Sequence, residues 1–171
     1  TMSQLPTIIV PARLESSRLE RKLLYEINGK PLIIWTAERI KSEAPDFPLF
    51  FAVDSSELSE CLKSYGFDSI LTRADHPSGT DRIAEANETI NAEWVINVQG
   101  DEPLIQASQI QTLATSLAEG HLMATLATSF TEPEAFYNPN AVKVVRSLNG
   151  NALYFSRSPI PYVRSLKGEV S

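Results

Sequence analysis

Four short apolar runs, each followed by a helical pattern, constrain the fold of this chain more than any other feature. The first run, Thr7–Val10, is continuous and rich in β-branched residues, which is typical of a strand buried on both faces. Ile33, Ala37 and Ile40 then recur at helical spacing and predict an amphipathic helix over residues 31–43. Such strand–helix–strand repetition predicts an α/β fold, with a mostly parallel, Rossmann-like sheet and helices on both faces.

The same alternation continues to about residue 120. Further strands are predicted at Leu49–Val53, Ser69–Thr72 and Trp94–Val98, and further helices near 54–66, 80–90 and 110–120. Asp54 with Glu57 three residues later predicts a capping box that begins the second of the four helices. Ligands bind outside the carboxyl ends of such strands, so we expect the loops after the first, third and fourth strands to share one rim.

The C-terminal part of the chain has a different rhythm. Mixed strands are predicted at Met123–Phe130, Ala141–Val145 and Ala152–Phe155, with a short helical turn around Glu134. We find neither an internal repeat nor a linker. A length of 171 residues therefore predicts a single domain over residues 1–171.

Charge and composition exclude several classes of protein. The formal net charge is −6, whereas a protein that coats nucleic acid needs a positive field. No apolar run approaches the roughly 20 residues that cross a bilayer, and the N-terminal residues do not resemble a secretion signal. The single cysteine, Cys61, excludes an intramolecular disulfide and a multi-cysteine zinc site. We expect a cytoplasmic protein that neither enters a membrane nor binds nucleic acid.

Positive charge is concentrated in the loop after the first strand and just beyond it. Five of the fifteen cationic residues lie within residues 13–30: Arg13, Arg18, Arg21, Lys22 and Lys30. Guanidinium groups match phosphate oxygens in pairs, and lysine adds a mobile charge. The loop lacks the glycines of a dinucleotide fingerprint and the Gly-Lys-Ser/Thr of a P-loop. These residues indicate a small polyphosphate ligand, and a solvated basic loop is the alternative.

The loop after the fourth strand places a carboxylate where a metal ion could bind. Asp101 comes directly after a predicted buried strand and Gly100. Mg²⁺ takes one or two protein carboxylates together with phosphate oxygens. Glu102 competes for this role, but adjacent side chains point in different directions. The alternative is an ordinary turn, because Gly-Asp-Glu-Pro is common turn chemistry.

The loop after the third strand leads into a helix that begins at Ser78–Thr80. Small residues and free N–H groups at this point could recognise the edge of a base. His76 in this loop has no Ser or Cys partner in the pattern, so we interpret it as a hydrogen-bonded loop histidine rather than an acid–base catalyst.

Five motifs, in order and spanning nearly the whole chain, carry a resemblance to one family. They are Ile9–Arg13 with Ser17–Leu19, Lys22 and Asn28–Leu32; Thr72–Arg82; Asn97–Pro103; Asn138–Val145; and Ala152–Pro161. In these motifs the chain resembles the 3-deoxy-manno-octulosonate cytidylyltransferases, or CMP-Kdo synthetases. The resemblance implies Mg²⁺-dependent transfer of CMP from CTP to the anomeric hydroxyl of 3-deoxy-manno-octulosonate (Kdo). Pyrophosphate is released, and the product serves lipopolysaccharide biosynthesis.

The resemblance also implies a role for individual residues. Arg13, Lys22 and Asp101 are the expected catalytic residues, with Asp101 as the metal ligand. The expected nucleotide-binding residues are Ala12, Arg13, Arg18, Lys22, Arg73, Ser78 and Gly79. The expected residues on the sugar-acid side are Arg18, Gln99 and Arg157.

The first motif departs from the family pattern at three positions. The family has Pro-Gly before the lysine and a proline after it, where this chain has Glu20, Arg21 and Leu23. Glycine allows close backbone approach to phosphate and proline stiffens a loop, so the departure bears on how the phosphates are held. Arg21 could compensate through its charge.

The sequence leaves other functions open. A related transferase could act on a Kdo derivative or on sialic acid, although the third and fifth motifs argue against sialic acid. A catalytically idle CTP-binding module is supported by Glu20-Arg21 and by the length of the chain. Family members continue through a C-terminal segment that supplies a second metal-binding Asp, further Kdo contacts and much of a homodimer interface. We therefore expect these 171 residues to be a fragment.

Overall fold

The computed structural model describes residues 5–15 and 21–162. The elements in chain order are β1 (Thr7–Ala12), a 3-10 turn (Lys22–Leu24), β2 (Glu26–Ile27), β3 (Lys30–Pro31), α1 (Leu32–Glu43), β4 (Leu49–Val53), α2 (Ser56–Ser64), β5 (Ser69–Leu71), α3 (Gly79–Ile90), β6 (Val95–Asn97), α4 (Ala107–Ala118), α5 (Pro133–Tyr137), β7 (Lys143–Arg146) and β8 (Ala152–Ser156). The described residues divide into two compact units, one within residues 1–124 and one within 125–171.

A four-stranded parallel sheet forms the centre of the first unit, in the order β5-β4-β1-β6. Ile9 pairs with Phe50 of β4 on one side and with Asn97 of β6 on the other. Because all four strands run in the same direction, their carboxyl ends lie at one edge of the sheet. The predicted parallel α/β architecture is confirmed.

The alternation of side chains along each strand explains why helices cover both faces. Ile8 and Val10 of β1 pack into the larger core cluster, which includes apolar residues of α1, α2 and α4. Ile9 points to the opposite face, where it clusters with Ala52, Ile83 and Ala86, the last two from α3. Ile8, Ile9 and Val10 are all fully buried, as the continuous apolar run predicts.

A two-residue hairpin connects the loop after β1 to α1. Asn28 and Gly29 both adopt positive φ, 54° and 75°, between the antiparallel strands β2 and β3. Asn-Gly favours this geometry because these residues tolerate the left-handed region. The hairpin gives α1 a fixed starting point at Leu32, whose N–H donates to the Tyr25 carbonyl (2.9 Å).

The second unit contains the antiparallel pair β7-β8 and the short helix α5. Phe136 of α5 is buried and makes edge-to-face contacts with Phe130 and Tyr137. The predicted strand at Met123–Phe130 is wrong. That stretch is exposed throughout and pairs with no strand among the described residues, so its apolar side chains had no ladder to join.

The predicted capping box at Asp54 is also wrong. Ser55 is the N-cap of α2, and its side chain accepts from the N–H of Leu58 (3.2 Å). Asp54 instead directs its carboxylate toward Leu14 and Arg82. Among the described residues, no helix has the length and apolar character needed to span a bilayer.

Candidate active site

The carboxyl edge of the parallel sheet gathers the loops that the sequence singled out. Arg13 follows β1, Arg73 follows β5, and Gln99 and Asp101 follow β6. Tight packing brings the loops after β1 and β5 together. A Cβ on Gly79 would lie 3.1 Å from Cγ of Pro11, so the start of α3 packs directly against the end of β1.

Lys22 and Asp101 form an ion pair at this edge. The Nζ of Lys22 is 2.5 Å from Oδ2 of Asp101, and the two side chains are 39% and 42% exposed. The pair joins the 3-10 turn after β1 to the turn after β6, across 79 residues of sequence. Both charged groups are therefore fixed near one another and remain accessible to a ligand.

Buried neighbours hold each partner of that ion pair in place. Leu23, next to Lys22, is buried in the larger core cluster. Gly100, next to Asp101, is packed so closely that a Cβ would lie 3.3 Å from Leu23 Cδ1 and 3.5 Å from the Pro11 carbonyl oxygen. The hydroxyl of Thr36 in α1 donates to the Gly100 carbonyl (2.9 Å). The two loops are thus fitted together beneath the charged groups.

Arg21 adopts a backbone conformation that glycine tolerates better than any other residue. Its φ and ψ are 54° and 30°, in the left-handed region. In the family motif that this loop resembles, glycine stands at this position, and glycine would adopt this conformation without steric cost. The guanidinium of Arg21 pairs with Glu57 of α2. Arg18, to which we assigned nucleotide and sugar contacts, lies outside the described residues.

Two further nucleotide-binding candidates, Ala12 and Ser78, and the sugar-acid candidate Gln99 lie at the same edge. Ala12 is buried, so it offers a ligand its backbone rather than its side chain. Ser78 is the N-cap of α3 and its Oγ accepts from the N–H of Asp81 (3.2 Å). Gln99 is exposed and donates through Nε2 to Asn97 Oδ1 (2.9 Å).

Glu85 of α3 organises the loop that carries Arg73 and His76. Its carboxylate accepts from the N–H of Arg73 (3.2 Å) and pairs with the Arg73 Nε at 3.7 Å. The His76 ring is 6% exposed and hydrogen-bonds Glu85 through Nε2. That hydrogen bond lowers the pKa of the Glu85 carboxyl below its ordinary value; burial acts in the opposite direction, and the Arg73 N–H adds to the lowering. The prediction of a hydrogen-bonded loop histidine is confirmed.

Arg157, a candidate for the sugar-acid side, lies in the second unit. Its Nη1 donates to the Pro139 carbonyl (2.9 Å), and its own carbonyl accepts from Nζ of the buried Lys143 (3.0 Å). Lys143 also donates to the Asn138 carbonyl (2.7 Å). The fourth and fifth motifs are therefore bonded to each other.

Comparison with known proteins identifies the family. A family model described as cytidylyltransferase matches residues 7–171. The chain belongs to the cytidylyltransferase family.

Two curated cytidylyltransferases confirm the resemblance seen in the motifs. The 3-deoxy-manno-octulosonate cytidylyltransferase of Hahella chejuensis is 45% identical over 163 residues, and that of Chloroherpeton thalassium is 46% identical over 162. Each match covers 92% of this chain. The chain spans 64% and 66% of the length of these two relatives.

Solved cytidylyltransferase structures agree with the fold. A CMP:2-keto-3-deoxy-manno-octonic acid synthetase solved with CTP has a TM-score of 0.86 and 40% identity, and the match covers 94% of this chain and 67% of that one. A cytidylyltransferase from Leptospira borgpetersenii, with a TM-score of 0.58, 19% identity and coverage of 68% and 50%, shares the fold.

One buried ion pair at the same edge of this cytidylyltransferase is not among the predicted site residues. Arg82 and Asp54 lie 3.6 Å apart between Nη2 and Oδ2, and both are nearly enclosed. Two signals could have found them. Asp54 follows a buried strand as Asp101 does, and Arg82 lies four residues before the buried Ala86, on the apolar face of α3.

Proposed function

We propose that this chain is the nucleotide-binding part of an enzyme that transfers CMP from CTP to the anomeric hydroxyl of Kdo, with release of pyrophosphate. The observation that carries the proposal is the accessible Lys22–Asp101 pair, at the carboxyl edge of a cytidylyltransferase sheet. The names of the two curated relatives support Kdo as the acceptor and thereby a role in lipopolysaccharide biosynthesis.

Electrostatics explains what the cationic residues would do. The hydroxyl belongs to a sugar acid and attacks a triphosphate, so two anions must approach each other. The cations of Arg13 and Lys22 offset that repulsion and stabilise the charge that develops on the departing pyrophosphate. The sugar hydroxyl is itself the nucleophile, which agrees with a site in which His76 is engaged by Glu85 rather than by a Ser or Cys.

The donor set at this edge fits Mg²⁺ bound together with a nucleotide. Asp101 supplies one accessible carboxylate, and Mg²⁺ commonly takes one or two carboxylates plus substrate phosphates. Within residues 5–15 and 21–162, no three His, Cys, Asp or Glu side chains are grouped to hold a metal. Substrate phosphates would supply the remaining oxygen ligands. When bound, the ion would neutralise phosphate charge and favour in-line displacement. Lys22 lies beside Asp101 and so would meet the same phosphates.

Further residues would hold the base and the sugar acid. We assign Arg73 and the Ser78-Gly79 backbone to the cytosine, and the backbone of Ala12 to the nucleotide. Gln99, Arg157 and Arg18 are assigned to the sugar-acid side, with Arg18 also near the nucleotide. Gln99 is supported by its place two residues before Asp101.

The proposal extends to assembly and location. We propose a homodimer in the intact protein, supported by the exposed apolar side chains Leu153, Tyr154 and Phe155 of β8. We also propose a cytoplasmic enzyme, since the one cysteine suits a reducing compartment.

Pyrophosphate release tests the proposal. The full-length protein is incubated with CTP, Mg²⁺ and a panel of 3-deoxy sugar acids that includes Kdo, an amino variant of Kdo and sialic acid, with UTP and ATP as nucleotide controls. Release with CTP and Kdo is the expected result. Release only with the amino variant would assign the activity to a Kdo derivative. If calorimetry shows CTP binding but no sugar acid gives pyrophosphate release, the protein is a catalytically idle CTP-binding module.

A further inference from the structure

A buried charged cluster lies at the ends of β1, β4 and β5, and the chemistry above does not use it. Arg82, in the first turn of α3, is 3% exposed. Its Nη1 donates to Oγ1 of Thr72 (2.7 Å) and to the carbonyl oxygen of Arg73 (2.9 Å). Its Nη2 lies 3.6 Å from Oδ2 of Asp54. Three polar groups from two loops therefore meet one guanidinium.

Asp54 extends this cluster to the loop after β1. Its Oδ1 accepts from the backbone N–H of Leu14 (2.8 Å). Thr72 closes the other side, because its hydroxyl donates to the carbonyl of Val53 (2.8 Å). The ends of three strands and the start of α3 are thus joined through side chains rather than through the strand ladder.

The backbone groups that the cluster holds belong to the candidate nucleotide loops. Leu14 directly follows Arg13, and the carbonyl bound by Arg82 is that of Arg73 itself. Both Leu14 and Arg73 lie outside any strand or helix, so neither backbone is held by a strand ladder or a helical hydrogen bond. Side chains hold them instead: Asp54 holds Leu14, and Arg82 together with Glu85 holds Arg73. A movement of either loop would displace a residue that we assign to the nucleotide.

Stability alone is a weak reason for such a cluster. Removing two charges from water is costly, and well-packed apolar residues often replace a buried ion pair without loss of stability. We propose that Arg82 and Asp54 are positioning residues, which fix the backbones from which Arg13 and Arg73 reach the nucleotide. The inference rests on the proposed function, because it takes CTP as the ligand.

Nucleotide affinity in matched variants tests the inference. The variants are Arg82→Met, Arg82→Lys, Asp54→Asn and the Asp54→Asn/Arg82→Met double variant in the full-length protein. Leu62→Ala is the control, since Leu62 is a fully buried residue of α2 that belongs to the core and not to this cluster. Calorimetry gives the dissociation constants for CTP and UTP with Mg²⁺, and thermal unfolding identifies conditions in which every variant is folded.

We expect Arg82→Met to weaken CTP binding about 10-fold or more, since misplaced contact groups are costly, and to reduce the preference for CTP over UTP. Asp54→Asn should act in the same direction, with a double variant no worse than the more severe single one. Arg82→Lys should retain part of the affinity, and it serves as the test if Arg82→Met does not fold. Leu62→Ala should change CTP affinity less than about 2-fold.

Two results separate failure of this inference from failure of the proposed function. If the wild-type protein does not bind CTP, the proposed function fails first. If wild type binds CTP and the folded variants bind it equally well, or if Leu62→Ala weakens CTP and UTP as much as Arg82→Met does, the cluster is structural only and the positioning role is wrong.

Discussion

Two ion pairs at the same edge of the sheet differ in burial and therefore in what their charges can do. Arg82 and Asp54 are 4% and 11% exposed in their side chains, and backbone groups and Thr72 take up their hydrogen bonds. The side chains of Lys22 and Asp101 are 39% and 42% exposed, and they pair with each other. The buried pair is committed to the shape of the loops, whereas the accessible pair can exchange its partner for a ligand.

Exposed ion pairs contribute little to stability, typically about 0–1 kcal/mol, whereas loss of one partner of a buried pair leaves an uncompensated charge. We therefore expect the buried pair to affect mainly stability and the accessible pair to affect mainly activity. The distinction would fail if a variant of the buried pair changed only activity, or if a variant of the accessible pair changed mainly stability.

The largest expected effect is on stability at the buried pair. Arg82→Met should lower the free energy of unfolding by about 3–5 kcal/mol, because Asp54 is left buried without its counter-charge. Urea denaturation with an unchanged slope measures this loss. Lys22→Met is the matched control, with an expected change below about 1 kcal/mol. Equal losses in the two variants would remove the distinction between the pairs.

The next effect is on turnover at the accessible pair. Lys22→Ala should lower the rate of pyrophosphate release about 100-fold, since it removes a charge that offsets the developing charge on phosphate. Lys30→Ala is the control, because Lys30 is engaged elsewhere, 2.5 Å from Glu38 and over the ring of Trp35. If the two alanine variants lose the same activity, Lys22 has no special role.

A smaller effect concerns Arg21, whose guanidinium forms a third, exposed ion pair with Glu57. Arg21→Gly should raise the free energy of unfolding by up to about 1 kcal/mol, because glycine adopts φ near 54° without steric cost. Arg21→Ala keeps the unfavourable φ and loses the ion pair, so it should give no gain. Thermal unfolding of both variants separates the effect of the backbone conformation from the effect of removing the Arg21 side chain. A gain in Arg21→Ala as large as in Arg21→Gly would mean that backbone conformation is not the source.

The smallest effect is a pH dependence at Glu85. Its pKa is lowered in the folded protein, mainly by the His76 hydrogen bond, so its stabilising contribution is present above the unfolded-state pKa of about 4.3. The contribution is lost as the pH falls through the lower, folded-state value. Wild type should therefore exceed Glu85→Gln in melting temperature at pH 7, and the difference should shrink below about pH 4.3. A difference that grows on acidification would contradict the assigned direction.

Much of this arrangement could be predicted because it depends on local patterns. The continuous apolar runs predict the four parallel strands, and residue spacing predicts the helices around Ile40 and Ala86. The sequence predicts that a helix begins at Ser78–Thr80, and in the structure Ser78 is the N-cap of α3. Asp101 could be placed at the rim because it lies in the loop that follows β6.

The rest depends on contacts between distant residues. Asp54 and Ser55 are both good N-cap residues, and the pairing of Asp54 with Arg82, 28 positions later, leaves the cap to Ser55. The sequence alone presents Arg82 as one polar residue of a loop motif. Its burial could not be predicted, because that depends on partners in other loops. Met123–Phe130 has a strand-like composition, yet no strand among the described residues pairs with it.

A crystal structure of the full-length protein with CTP and Mg²⁺ tests the central claim most directly. We predict that the Lys22 ammonium lies within about 3 Å of a phosphate oxygen, while Arg82 keeps its contacts with Asp54, Thr72 and the Arg73 carbonyl. A triphosphate bound away from Lys22 and Asp101, or an Arg82 side chain released from Asp54 to bind it, would contradict the division between a buried pair that shapes the site and an accessible pair that meets the nucleotide.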